Sequence, residues 1–114
     1  MGPVDSLRQI CLSFPEAAEK ETWGHPTFRV NNKMFVTCSK GDTTNPTMTL
    51  KAPPGEQELL LASGGRFFFP SYVGSKGWIG INLSTSADWD EIRELVDDSY
   101  RLIAPKRLLK ALDA

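Results

Sequence analysis

The chain has 114 residues, 40% of them hydrophobic and 24% charged, with thirteen Lys plus Arg against fourteen Asp plus Glu. This composition fits one globular domain around a single core and excludes a disordered tail or a fibrous repeat. A formal net charge of −1 excludes a global field that would draw the protein to nucleic acid or an anionic membrane, so any anion recognition must be local.

Val4, Leu7, Ile10, Cys11 and Phe14 fall at spacings of three and four, which predicts an amphipathic helix. Pro15 stops it or starts a second short turn through EAAEK. The period then changes to two. Phe28 and Val30 alternate with Thr27 and Arg29, while Met34, Val36 and Cys38 alternate with Phe35, Thr37 and Ser39. NNK between the two runs predicts a tight turn of an antiparallel hairpin, with Phe35 on the outer face. GDTTNP is a further turn cluster, and TMTLKA after it a third strand. PPGEQELLLASGG predicts a short helix, with Pro before it, Glu56 and Glu58 at its start and Gly64 as its C-cap. Phe67 to Phe69 lead into more strand, Pro70 argues against a ladder position, and GWIGINL is the clearer strand. Asp88 and Glu91 have capping-box spacing ahead of Ile92, Leu95, Val96 and Tyr100, and Pro105 restarts the backbone for KRLLKAL. With no linker or repeat, this order predicts a single α+β domain over residues 1–114, an antiparallel sheet with helices segregated around it.

Charge is uneven along the chain. From Trp23 to Gly55, Arg29, Lys33, Lys40 and Lys51 face Asp42 alone, and residues 66–83 add Arg66 and Lys76 without an acid. The flanks, Glu16 to Glu21 and Asp88 to Asp98, are acidic. The middle therefore predicts a modest basic patch, short of a dedicated duplex binder. Cys11 and Cys38 lack metal spacing and His25 is the one histidine, so no zinc cage is expected, and both thiols read as buried and reduced. The acidic run from Asp88 has no EF-hand spacing, so no metal site is expected there either. YVGSKGW has glycines that let the backbone approach a partner, with Lys76 in reach of a phosphate, but it lacks the spacing of a nucleotide-binding loop. No cofactor is expected. His25 has no evident nucleophile or orienting partner, so no catalytic set is expected and the chain reads as a non-enzyme. No leader pattern opens the chain and no apolar run approaches bilayer length, so a cytoplasmic protein without membrane contact is expected.

WGHPTFRVNNKMFV, LKAPPGEQELLL, FFFPSYVGSKGWIGINL and DWDEIRELVDDSYRLIAPKRL, in that order, resemble the MmcQ/YjbR family of small bacterial proteins over nearly the whole chain. The resemblance implies a CyaY-like, double-wing α+β fold and a predicted DNA-binding role. It places Trp23, His25, Pro26 and Phe28 in the first block, Lys33 and Phe35 on the first hairpin, Tyr72, Gly77 and Trp78 in the second, and Arg101, Pro105 and Lys106 in the closing block. No catalytic residue transfers with it.

Three uses of these residues are open. The leading expectation is weak nucleic-acid binding, with Lys33, Arg66, Lys76, Arg101 and Lys106 on phosphates and Tyr72 and Trp78 stacking on bases. Trp78 shares a sheet face with Gly80 and Asn82, opposite the core set Ile79, Ile81 and Leu83, and is either covered or exposed there. The second is a small-molecule pocket built from His25, Arg29, Tyr72 and Trp78. The third makes the aromatic segment a homodimer interface; otherwise the chain is a monomer.

Overall fold

The structure is a computed structural model and describes residues 2–39, 44–83 and 87–114. Lys40 and Asp42, two of the charges in the basic middle, lie outside the described residues.

Ten-residue α1 (Pro3–Leu12) buries the expected stripe of Val4, Leu7, Ile10 and Cys11. It leads through Phe14 into an antiparallel sheet formed by β1 (Ala18–Thr22), β2 (His25–Val30), β3 (Lys33–Cys38), β4 (Thr47–Lys51), β5 (Phe67–Phe68) and β6 (Trp78–Asn82). Their spatial order is β1-β2-β3-β4-β6-β5. Between β4 and β5 runs α2 (Glu56–Ser63), and after β6 come α3 (Trp89–Ile103) and α4 (Lys106–Leu112). The expected α+β class, one sheet with segregated helices, is what the chain adopts.

One face of the sheet carries the core. Phe28, Val36, Met48, Leu50, Ile79 and Ile81 are at most 1% exposed, and α3 lies across β3 and β4 with α1 beside it. Phe14, Phe35 and Tyr100 form a three-ring cluster joining α1, β3 and α3, with centroids 4.8 to 6.3 Å apart. Such contacts add to area burial through edge-to-face geometry. Asp88 caps α3 by accepting the Glu91 N–H at 3.1 Å, and Gly64 ends α2 at φ 71°, both at the expected positions.

Two readings fail. Of the two alternatives at Pro15, the helix ends before it, and the second, a short turn through EAAEK, is not adopted: Ala18 to Thr22 form edge strand β1, paired with β2 from Ala18–Arg29 to Thr22–His25. Helix-favouring residues are overridden here because a two-residue turn, Trp23 at φ 54° and Gly24 at φ 83°, folds the chain back with the twist that antiparallel strands need. The same device joins β2 to β3 through Asn31 and Asn32, within the expected NNK turn.

Phe35 is the second failure. Expected outside with Thr37, it is fully buried. The register slips between Phe28 and Arg29, so that Val36 faces Phe28 and Met34 faces Arg29, leaving Phe35 as the extra residue of a bulge. A bulge resets the two-residue alternation, turning Phe35 inward and Met34 outward. Ser99 of α3 occupies the gap this leaves: its hydroxyl donates to the Phe35 carbonyl at 2.6 Å and accepts the Lys51 N–H at 3.1 Å.

Candidate functional site

Among the described residues, no helix packs on the other face across its central strands. The register places Thr27, Thr37 and Thr49 side by side across β2, β3 and β4, with Gly80 of β6 next in line and Phe68 of β5 opposite Gly80. Thr37 and Thr49 share a hydrogen bond between hydroxyls at 2.5 Å, and Thr27 donates to the Lys20 carbonyl at 2.7 Å. These bonds hold the methyl groups and hydroxyls in a fixed, uncharged floor.

The floor sits at the base of a cleft of about 510 Å³ whose lining includes five threonines (22, 27, 37, 47 and 49), Met34 and His25. That volume lies within the range of small-ligand sites. Trp23 stands on one rim and Tyr72 on another. They are 93% and 95% exposed, and each sits in left-handed backbone, at φ 54° and 66°. A bulky residue in that conformation costs of order 1–3 kcal/mol and persists only where its surroundings enforce it.

The Tyr72 rim is braced. A Cβ on Gly74 would lie 2.5 Å from the Phe69 ring, and one on Gly80 would lie 2.3 Å from Phe68, so both glycines exist here to seat a phenyl ring. Gln57 of α2 donates from Nε2 to the carbonyls of Gly74 and Trp78, each at 2.7 Å. Gly74 N–H and Trp78 N–H close the loop on Pro70 and Val73. The glycines of YVGSKGW shape a short 3-10 turn, Gly74–Lys76.

Arg29 lies beside the cleft. Its Nε donates to Thr27 Oγ1 at 3.2 Å and its Nη2 to Thr22 Oγ1 at 3.3 Å, while Nη1 reaches the Asn32 carbonyl at 3.5 Å. All three acceptors are neutral. No carboxylate among the described residues pairs with it. His25 Nδ1 lies 3.5 Å from the Pro26 carbonyl, and no nucleophile among the described residues is hydrogen-bonded to the ring.

Of the residues expected to contact a ligand, the structure gathers His25, Arg29 and Tyr72 at one cleft. Trp78 belongs to the open-face register, opposite Lys51, but is only 7% exposed, on a strand that touches both the 3-10 turn and α2. A ring buried in that way is not placed to stack on a base, and Trp78 is not among the residues lining this cleft. Of the five expected phosphate contacts, two are already ion-paired. Arg101 is held by Asp97 at 2.7 Å and by both oxygens of Asp113 at 2.7 and 3.0 Å, and those carboxylates push its guanidinium pKa up. Arg66 pairs with Glu91 at 3.6 Å. Lys33 stands opposite Val30 on the helix-side register, while Lys76 and Lys106 are exposed on separate elements. Trp23 and the threonine floor were not among the expected contacts; the Trp-Gly pair before HPTFRV marks the turn at Trp23, but only once AEKET is known to be a strand.

Both thiols are free and buried. Burial pushes Cys11 well above the ordinary thiol range and Cys38 up to about 11, which leaves neither as a nucleophile at neutral pH. No helix among the described residues is long and apolar enough to cross a membrane.

The family model described as YjbR matches residues 12–102. No curated protein matches the chain in sequence. Among solved structures, a Deinococcus radiodurans protein with a DUF419 domain is similar at a TM-score of 0.81 and 22% identity, over 99% of this chain and 89% of that one. A Pseudomonas syringae protein is similar at 0.70 and 19% identity, over 90% of this chain and 98% of that one. At these identities the likeness is one of fold.

Proposed function

The chain belongs to the YjbR family, and we propose that it is a binding module that holds unpaired bases of a nucleic acid on the open face of its sheet. One observation carries this reading: two aromatic side chains, each more than nine-tenths exposed and each on left-handed backbone, flank a single cleft. Aromatics kept in water at a conformational cost are suited to stacking, which contributes roughly 1–3 kcal/mol per base. Bases inside a duplex offer no such face, so the ligand is single-stranded. Charge agrees. The strand residues in open-face register include Lys20 and Arg29, whereas Glu19 and Glu21 stand opposite Phe28 and Pro26 on the other register.

The test is fluorescence anisotropy of a labelled single strand and its duplex at two salt concentrations. With about two phosphates neutralised, log affinity for the single strand falls with log salt at a slope near −1.4. Trp23→Ala and Tyr72→Ala each weaken binding, while Arg101→Ala leaves it unchanged. Stronger binding to duplex, or indifference to both aromatic substitutions, contradicts the reading.

A second reading is favoured by the cleft itself. A volume of about 510 Å³ lined largely by apolar atoms and hydroxyls suits a free planar small molecule. Such a ligand quenches Trp23 fluorescence with little response to salt.

A further inference from the structure

We infer that Arg29 is the anion anchor of the open-face cleft, so that the unit recognised is a planar ring together with one phosphate attached to it, a nucleotide rather than a bare base. The inference rests on the reading that the cleft stacks bases, and adds to it which group on the ligand the guanidinium beside the cleft takes.

Four observations converge. The Arg29 guanidinium is bonded to the hydroxyls of Thr22 and Thr27, and both threonines line the cleft. The guanidinium is therefore tethered beside the cleft lining. Its acceptors are neutral and long, at 3.2 to 3.5 Å, so its charge is uncompensated. Four of the other five arginines meet acids: Arg8 with Asp5 and Glu19, Arg66 with Glu91, Arg101 with Asp97 and Asp113, Arg107 with Glu16. Arg29, like Arg93 of α3, has no carboxylate partner among the described residues, and Arg29 is the one of these two that sits beside the aromatic-rimmed cleft. Lastly, the groups around it exclude competition from within, because neighbouring β1 contributes Lys20 on this register and turns its glutamates away.

A planar guanidinium held by weak neutral acceptors can exchange them for two phosphate oxygens, gaining shorter, charge-assisted bonds. The threonine hydroxyls it releases remain bonded to each other or to backbone, since Thr27 also donates to the Lys20 carbonyl. Binding the phosphate therefore strands no buried donor.

The experiment compares adenosine with adenosine 5′-monophosphate on the intact protein, followed by Trp fluorescence and amide chemical shifts, in the native chain, Arg29→Gln and Arg29→Lys. Inorganic phosphate alone serves as the third probe. The native protein should prefer the monophosphate by about tenfold, the step expected for a charge-assisted pair. Arg29→Gln should abolish that preference while leaving adenosine affinity within about twofold, and Arg29→Lys should keep part of it. If Gln at this position unfolds the chain, the lysine variant still decides, since a partial preference is required of it and a full one overturns the inference. A preference that persists in Arg29→Gln, or no preference in the native protein, overturns it too. If neither mononucleotide compound binds but a single-stranded oligonucleotide does, the anchor is wrong and the base-stacking reading stands. If no nucleic acid binds at all, both fall.

Discussion

Trp23 and Tyr72 show how a single residue can set stability against function. Each occupies a left-handed conformation that an asparagine or glycine would adopt at far less cost. Trp23→Asn creates an Asn-Gly turn, the preferred pair for this geometry, and is expected to raise unfolding free energy by up to about 1 kcal/mol while abolishing the rim contact. Urea unfolding and ligand titration of the same variant check both halves; loss of stability would mean that the indole is structural. Gly80 is the opposite case. A Cβ there would lie 2.3 Å from the Phe68 ring, so Gly80→Ala displaces that ring or strains the sheet, at about 1–3 kcal/mol. Adding Phe68→Ala should recover part of that loss, a coupling that a double-mutant cycle measures directly. Neither residue announces its role by type alone. A tryptophan beside a glycine marks a turn only once the strands on both sides are known, and a glycine in WIGIN reads equally as bulge, bend or close approach.

Among the elements, β3 and α3 depend on one another. The bulge at Phe35 leaves a carbonyl without its ladder partner, and Ser99 restores it while also capping the Lys51 N–H. Ser99→Ala should therefore cost about 1–3 kcal/mol, the penalty for stranding buried polar groups, and its thermal melt provides the check. The helices at the C-terminus are clipped by charge. The hydrogen bonds from Arg101 lower the Asp113 carboxyl below its ordinary value, so this pair contributes stability above the unfolded carboxylate value near 4 and loses it as pH falls through the lowered folded value. The stability difference between the native chain and Asp113→Asn should thus be present at neutral pH and vanish in strong acid; a difference that grows in acid would contradict the sign. Most elements were legible beforehand because their periodicity and caps agree: α1, the Asn31-Asn32 hairpin, the Asp88 cap and the Pro105 restart. β1 was not, because AEKET is written in helix-forming residues and becomes a strand only through its pairing. Nor was the bulge, since one inserted residue leaves no mark in an alternation of apolar side chains.

At the scale of the whole molecule, function follows from covering one sheet face and leaving the other open. The helix layer absorbs the core and holds Arg101 and Arg107 of α3 and α4 in ion pairs. The open face keeps hydroxyls, two rim aromatics and Arg29. Charge counts along the chain could not separate these faces, because β1 alternates glutamate and lysine between them. The same architecture makes the buried thiols inert: Cys11 and Cys38 should react with a thiol reagent only in denaturant, whereas labelling of the folded protein would contradict their placement. The most direct test of the account is amide chemical-shift mapping of the folded protein during titration with a short single-stranded oligonucleotide. The account predicts shifts concentrated at Trp23 and Gly24, at Thr27, Thr37 and Thr49, and at Ser71 to Val73. Shifts confined to α3 and α4, or none at millimolar ligand, would contradict it.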